Sequence, residues 1–378
     1  MRVGLFVRTD QQSKPGGDMI QASAYVQALG ARGVDARILS GVAELATVDI
    51  LHVFNIDRPW DCLAMVRAAH RRGLSVVLSP IAHPREALLR YQATRSFWWE
   101  RGLIRLGFGG DTSERLKALA RAMTNANSAA AGMALRSSAA RAKRALWQLT
   151  SGIQLLSLAE KKELIRQGFD FGHKDSCIVR NGVSAPTLKA DVPSAALAEF
   201  ATRFPRFGVV GGRIEPRKNQ LEILRVASEL QIPTVFAGTQ NLRHRNYCKD
   251  FLREIAGCAN MLYLGSISRN DFAHLLTQSE MHISASLFEV SPLVDLEARA
   301  IGRRVVATAS SFGVEFLDEF ATICDPWSRG SIRAAMIATW EATGPVTRLP
   351  VPAWDEAAEP LRELYERSLE HRKENRYV

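Results

Sequence analysis

The sequence predicts an α/β protein of two doubly wound parallel-sheet domains, on three observations. At 378 residues the chain exceeds what one hydrophobic core comfortably holds and suits two domains of ordinary size. Short runs rich in Val, Ile, Leu and Phe recur along it. They are apolar throughout rather than alternating, the pattern of strands buried on both faces. Longer segments of helical periodicity lie between them, so strand and helix alternate as in βαβ units.

In chain order, strands are expected near Val3–Val7, Ala36–Leu39, Ile50–Phe54, Ser75–Leu78, Ile153–Ser157 and Ser176–Val179. A second set is expected near Phe207–Val210, Thr234–Ala237, Met261–Leu264, His282–Ser284, Val305–Thr308 and Thr322–Cys324. Between the sets, Pro186, Pro193 and Pro205 interrupt a weakly patterned stretch, so residues 184–206 are expected to link domains at 1–183 and 207–354. Residues 355–378 carry a charged amphipathic helix over Asp355–Arg372, with Leu361, Leu364, Tyr365 and Leu369 on one side. This helix is expected to pack back toward the N-terminal domain. Two such domains facing each other leave one cleft, and ligands of doubly wound sheets bind at the carboxyl ends of the strands.

Hydrophobic residues at 47% and charged residues at 23% are the composition of a soluble globular chain. No run approaches the ~20 apolar residues that span a bilayer. The short run inside Met1–Arg8 reads as a strand rather than a signal peptide. Cys62, Cys177, Cys248, Cys258 and Cys324 are scattered, with no pair at metal-ligand spacing. That pattern points to a reducing cytosol and to neither a disulfide framework nor a metal site.

The net charge of +10 is uneven: residues 85–146 hold twelve Lys or Arg against four acids, or +8. A basic patch seeks polyanions, whether nucleic acid, anionic lipid headgroups or phosphorylated substrates. Inside it, Trp98 and Trp99 stand beside Arg101 and Arg105. Such a segment suits a membrane interface or a lipid-linked acceptor, and equally a core helix with a basic outer face.

The most informative segment is Ser284–Gly302, which begins as a strand ends. Glu289 lies in its loop, Ser291 is placed as a helix N-cap, Pro292 at the first helical position and Gly302 just past the end. The free amides of Leu293 and Val294 at the helix start suit a phosphate. Glu289 and Glu297 instead suit a polyol, since each carboxylate accepts two hydroxyl hydrogen bonds. Phosphate flanked by hydroxyl-rich groups describes a nucleotide sugar; the alternative is a pair of solvated helix-end acids. Upstream, Phe207–Gln220 opens from a strand into a Gly-rich basic loop. Gly211 and Gly212 admit close backbone approach, and Arg213 and Lys218 supply two cations for a pyrophosphate.

Together, Gly212-Arg213, Lys218-Asn219, Gly238, Gly265, and Glu289 and Glu297 with seven residues between them resemble the retaining glycosyltransferases of family 4. Asn181-Gly182-Val183 and Asp49-Ile50-Leu51-His52 support the resemblance, which covers nearly the whole chain. It implies the GT-B fold of two Rossmann-like domains and a nucleotide diphosphate sugar as donor. It further implies no cofactor or metal, and transfer with retention, the leaving phosphate taking the acceptor's proton. Arg213 and Lys218 would neutralise the donor diphosphate, Glu289 would contact the donor sugar and Glu297 the ribose. Many members carry Phe-Gly shortly after the first acid, where this chain has Val290-Ser291-Pro292.

In the N-terminal half, Gly16 and Gly17 of the Lys14–Asp18 loop are expected to bring backbone to the donor phosphate or the acceptor, or else to form an ordinary tight turn. His83, just past the fourth strand, lies a few residues beyond the family's sugar-contacting histidine. The expected function is sugar transfer to a glycan or lipid-linked acceptor in cell-surface polysaccharide biosynthesis, in the cytoplasm or at the inner membrane face. A sugar-nucleotide isomerase or epimerase on the same fold is the alternative. A non-enzymatic polyanion binder would explain the +8 stretch but not the paired glutamates, and without a nucleic-acid motif nucleic acid is not an expected partner.

Overall fold

The computed structural model describes residues 1–8, 16–107, 110–125, 128–172, 174–183 and 195–374. The chain divides into two compact units: Met1–Arg85, Phe97–Gly182 and Pro352–Val378 form the first, Glu86–Ser96 and Val183–Val351 the second.

The first unit holds six parallel strands, β1 (Arg2–Phe6), β2 (Asp35–Ile38), β3 (Ile50–Phe54), β4 (Ser75–Ser79), β5 (Gly152–Leu155) and β6 (Asp175–Ile178). Their order is β2-β1-β3-β4-β5-β6. Every residue of β3 is buried, which is why Ile50–Phe54 does not alternate. Val3 of β1 lies opposite Ala36 on one side and Ile50 on the other, so the winding reverses at β1/β3. Its helices are α1 (Gly17–Ala31), α2 (Pro59–Arg71), α4 (Trp98–Arg105), α5 (Gly110–Asn125), α6 (Ser128–Arg136), α7 (Ala139–Gln148), α8 (Leu158–Arg166) and α15 (Ala358–Glu374). Leu361, Leu364 and Tyr365 of α15 are fully buried against α1 and the β4–β6 side of the sheet. Residues Trp354–Ala357 form a separate 3-10 turn, so the α-helix begins at Ala358 rather than Asp355. Gly182 is required by that turn, because a Cβ there would lie 2.6 Å from the Trp354 backbone nitrogen.

The second unit has the parallel order β12-β11-β10-β7-β8-β9. Its strands are β7 (Gly208–Gly211), β8 (Thr234–Ala237), β9 (Met261–Tyr263), β10 (Met281–Ile283), β11 (Arg304–Thr308) and β12 (Ala321–Cys324). All twelve strands fall where the apolar runs placed them. Around this sheet stand α3 (Arg85–Thr94), α9 (Ala195–Arg203), α10 (Gln220–Glu229), α11 (Arg245–Ala256), α12 (Arg269–Gln278), α13 (Leu293–Ala300) and α14 (Arg329–Glu341).

Two expected boundaries need correction. Residues 184–206 are not all linker, because α9 buries Leu197 and Phe200 in the second unit's core, with the Phe200 ring tilted against Phe204 at 5.0 Å. The apolar spacing of 197, 200 and 204 is helical and overrides the prolines around it; residues 184–194 lie outside the described residues. Nor does 1–183 form one domain. Residues 86–96 belong to the second unit, where Tyr91 meets Phe288 at 5.4 Å and Arg90 lies 4.4 Å over the Trp327 ring.

His52 of β3 shows how the first unit holds α15. Its Nδ1 lies 2.8 Å from the Tyr365 hydroxyl and its Nε2 2.7 Å from Ser79 Oγ. Since Ser79 donates its own proton to Gln154, it must accept from Nε2–H, and Nδ1 then accepts from Tyr365. This neutral ring is fully buried, and burial pushes its pKa down from 6.5 to about 3. The unfolded chain therefore binds the extra proton between those values, and stability falls as pH falls. From pH 7 to pH 5 the expected loss from this group is about 2 kcal/mol. Denaturation of wild type and His52→Gln at both pH values checks it; equal losses would place the dependence elsewhere.

Candidate functional site

In the second unit the winding reverses between β7 and β10, which pair directly through Met281–Gly208 and His282–Val209. The loops following these two strands therefore emerge side by side, at the position where doubly wound sheets bind ligands. The loop after β7 is held against its neighbour by backbone hydrogen bonds and by Asn241, which donates to Glu215 at 2.6 Å. Gly212 donates to the Ala237 carbonyl at 2.9 Å, and Gly238 donates to the Gly265 carbonyl at 2.7 Å. Gly238 has φ +146, and a Cβ on it would lie 2.1 Å from the Gly212 carbonyl oxygen. Only glycine fits there.

The loop then turns through a short 3-10 segment, Pro216–Lys218, and left-handed Asn219 (φ 59) starts α10. The turn aims two cations at the loop after β10. Lys218 Nζ lies 2.5 Å from Glu289 Oε1, and Arg217 Nη1 lies 3.0 Å from the same oxygen. Arg217 also reaches Glu215 at 3.1 Å and stacks over the Phe288 ring at 5.6 Å. Glu289 is fastened by backbone as well, donating its amide to the Ser310 carbonyl at 2.9 Å, while the Leu287 amide donates to the Arg217 carbonyl at 2.8 Å. Burial raises the Glu289 pKa, but Arg217 and Lys218 outweigh it and hold the carboxyl at about 2. Glu215 is likewise held below its ordinary range: burial raises it, and Arg217 and Arg213 more than offset that.

The structure thus brings Lys218 and Glu289 together. Arg213 stands apart from that pair, its side chain half exposed and 3.9 Å from Glu215. The helix after Glu289 starts one residue later than expected, with Pro292 rather than Ser291 as the N-cap of α13. Pro292 keeps an extended ψ of 116, so Leu293 is the first helical residue. Leu293 and Val294 still present amides of the first turn, which lack intrahelical partners. Glu297, one turn on, is held by Arg269 Nη2 at 2.5 Å. Burial raises its pKa, against the pull of Arg269.

Four participants carry no distinguishing mark in the sequence. Arg217 shows only as part of the charge alternation Arg213, Glu215, Arg217, Lys218, and Arg269 is distant from Glu297 along the chain. His282 and Asp295 form a buried pair at 3.1 Å beneath the loop. His282 Nδ1 donates to the Val209 carbonyl, 3.0 Å away, which turns Nε2 toward Asp295.

The remaining expected site residues lie in the first unit. Gly16 is the extended N-cap of α1 and Gly17 its first residue; neither is left-handed, and a Cβ on Gly17 would meet nothing within 4 Å. Lys14 and Pro15 lie outside the described residues. His83 follows β4 and bonds Asp57 at 2.7 Å.

Residues 204–339 match the family model of glycosyl transferases group 1, a span that contains the whole constellation from Arg213 to Glu297. Solved structures resemble the entire chain. HepE of Anabaena in complex with UDP-glucose is 15% identical, with 98% of this chain and 99% of that one covered at TM-score 0.63. Together with the two six-stranded parallel sheets, that likeness decides the architecture. The fold is GT-B. Sucrose-phosphate synthase of Thermosynechococcus elongatus shares this GT-B fold at 12% identity, covering 98% and 94% at TM-score 0.62. So does the UDP-GlcNAc 2-epimerase of Methanocaldococcus jannaschii with UDP-GlcNAc and UDP, at 11% identity, 97% and 100% coverage and TM-score 0.57. No curated protein sequence matches the chain.

Proposed function

We propose that the chain is a retaining glycosyltransferase that binds a nucleoside diphosphate sugar in its second unit and transfers the sugar to a glycan or lipid-linked acceptor bound through its first. The observation that carries this reading is the contact of Lys218 with Glu289 where β7 and β10 meet, beside the start of α13. The donor diphosphate would lie between Arg213, Lys218 and the first amides of α13, with its sugar hydroxyls on Glu289 and its ribose on Glu297. As the glycosidic bond breaks, charge builds on the leaving phosphate oxygen. Cations already fixed in place stabilise that charge more in the transition state than in the ground state. Neither a cofactor nor a metal has a part in this scheme.

UDP-glucose is the first donor to test, since structures of the same fold hold UDP or UDP-sugars. Thermal-shift and calorimetric titration with nucleoside diphosphates and their sugars tests the donor site. Glu297→Ala should weaken nucleotide binding at least ~5-fold with little change in turnover, because a ribose contact is made equally in ground and transition states. Equal UDP affinity in wild type and Glu297→Ala would remove the ribose role. Because the fold is shared with an epimerase, epimerised donor formed without acceptor would favour the isomerase or epimerase reading instead.

The first unit offers a surface for a lipid-linked acceptor in cell-surface polysaccharide synthesis at the cytoplasmic face of the membrane. No helix among the described residues is long and apolar enough to cross a membrane. Instead, α4 carries Trp98, half-buried Arg101 and exposed Arg105 at helical spacing, with Trp98 78% and Leu106 74% exposed. The single acid of α4, Glu100, is buried on Ser113 at 2.6 Å and Lys117 at 2.7 Å, so its charge does not offset that face. Each basic residue near an anionic membrane contributes about 1 kcal/mol, so Arg101→Glu with Arg105→Glu should lower liposome partition by more than ~10-fold. Sedimentation with phosphatidylserine vesicles at low salt measures this, and a wild-type chain that stays in the supernatant ends the membrane claim.

A further inference from the structure

Among the described residues a single side chain, Arg269, is bonded to Glu297, and the helices that carry the two are fixed where they start. Ser268 caps α12. Its Oγ accepts from the Asp271 amide at 3.1 Å and donates to Asp271 Oδ2 at 2.7 Å, which leaves Arg269 as the first helical residue. Phe272 follows three residues on and lies over Gly211 at the end of β7, where a Cβ would sit 2.4 Å from the ring. Phe272, Leu275 and Leu276 of α12 share one apolar cluster with Val294 and Ala298 of α13. Both helices therefore lie on the same face of the sheet, and each follows the carboxyl end of a parallel strand. Arg269, Phe272 and Leu276 fall on one side of α12, and Val294, Glu297 and Ala298 on one side of α13. Packing of the apolar members thus carries the charged pair into contact.

The pair is unequal in its exposure. The Glu297 side chain is 18% exposed and that of Arg269 43%. Arg269 Nη2 takes Oε1 of the carboxylate, while Oε2 has no partner among the described residues. Ribose hydroxyls are donors, so the ionised carboxylate is the form that accepts them best; protonation turns one of its acceptor oxygens into a donor. Burial pushes the Glu297 pKa up, and Arg269 is the main opposing influence. His282 of β10 opposes the rise more weakly, and is itself paired with Asp295 of α13. Without Arg269 the carboxylate would be protonated at higher pH, and its free oxygen would lose its fixed direction.

We propose that Arg269 is the positioning residue of ribose recognition, holding Glu297 by one oxygen so that the other stays a charged acceptor for ribose hydroxyls; this rests on the donor reading above. Arg269 acts through Glu297 and not by touching the nucleotide. The ligand class it selects is a ribonucleoside diphosphate, against one whose sugar lacks hydroxyls.

Calorimetric titration of the full-length protein with UDP and with 2′,3′-dideoxy-UDP, which lacks both ribose hydroxyls, tests this. Wild type should prefer UDP by at least ~5-fold, with little change between pH 6.5 and pH 8.5. In Arg269→Ala the preference should fall to within ~2-fold at pH 6.5 and return in part by pH 8.5, while Arg269→Lys keeps most of it. Arg269→Gln, the second neutral variant, should follow Arg269→Ala, and melting temperatures identify any variant that has lost its fold. In a Glu297→Ala background, Arg269→Ala should change the UDP dissociation constant by less than ~2-fold, since a residue acting through Glu297 has nothing left to act on. A loss that persists in that background would make Arg269 a nucleotide contact, and tighter UDP binding in Arg269→Ala would make it a competitor for Glu297. Either result overturns the inference, as does a wild-type preference in Arg269→Ala at pH 6.5. Equal affinity of wild type for the two nucleotides removes the ribose role of Glu297 as well, whereas a wild-type chain that binds neither overturns the donor reading itself.

Discussion

Lys218→Ala is expected to lower turnover by about 10²-fold or more while leaving the melting temperature of the ligand-free protein nearly unchanged. The two halves of this expectation have separate causes. Lys218 is one of two cations on Glu289, and its removal leaves Arg217 still 3.0 Å from that carboxylate, so no buried charge is stranded. On the proposed donor placement, the leaving diphosphate would in contrast lose a cation fixed at the switch point of the sheet, where its developing charge would be stabilised. Arg213→Ala should act in the same direction through the same diphosphate, and its half-exposed side chain leaves the fold little affected. Turnover and melting temperature measured side by side check this, and wild-type turnover in Lys218→Ala would remove the donor from this loop.

Much of the architecture is legible from residue order because strands buried on both faces have to be apolar runs. Ile50–Phe54 and Arg304–Thr308 are wholly buried and mostly apolar, and their polar members His52 and Arg304 are tolerated because they are hydrogen-bonded. Helices are less legible where two signals conflict. Prolines around 184–206 conceal α9, whose Leu197 and Phe200 nevertheless keep helical spacing with Phe204 just past its end. Residues 86–96 join the second unit through Tyr91 and Arg90, contacts with Phe288 and Trp327 that no local pattern encodes. The site divides along the same line. Glycines at strand ends and a Lys and a Glu in the loops after β7 and β10 are visible in the sequence. What each charge is paired with depends on tertiary approach. Arg217 between two glutamates, Arg269 on Glu297, and Asp57 between His83 and Lys143 are all invisible until strand order is known.

The second large effect is expected at Arg217, and it falls on stability. Arg217→Ala should cost about 3 kcal/mol at neutral pH, the lower part of the range for breaking a buried ion pair by removing one partner. Its side chain is 22% exposed and lies between Glu215 and Glu289, whose side chains are 7% and 11% exposed. Removing it leaves both carboxylates short of a counter-charge. Lys218 stays on Glu289 and Asn241 on Glu215, 2.6 Å away, so the loss stays below that of a wholly unpaired charge. The pH dependence carries a definite sign. Glu289 has its folded pKa depressed from 4.5 to about 2, so its ionised form contributes stability that is complete above 4.5 and is lost as pH falls toward 2. Without Arg217 the folded value moves back up and that contribution shrinks. The difference between wild type and Arg217→Ala should therefore be widest near pH 7 and narrow below pH 4.5. Arg217→Lys, which restores charge without the planar fork that bridges two carboxylates, should recover part of the loss. Urea denaturation of the three proteins at pH 7 and pH 4 measures all of this. A loss below about 1 kcal/mol, equal at both pH values, would mean that Arg217 holds neither glutamate in place.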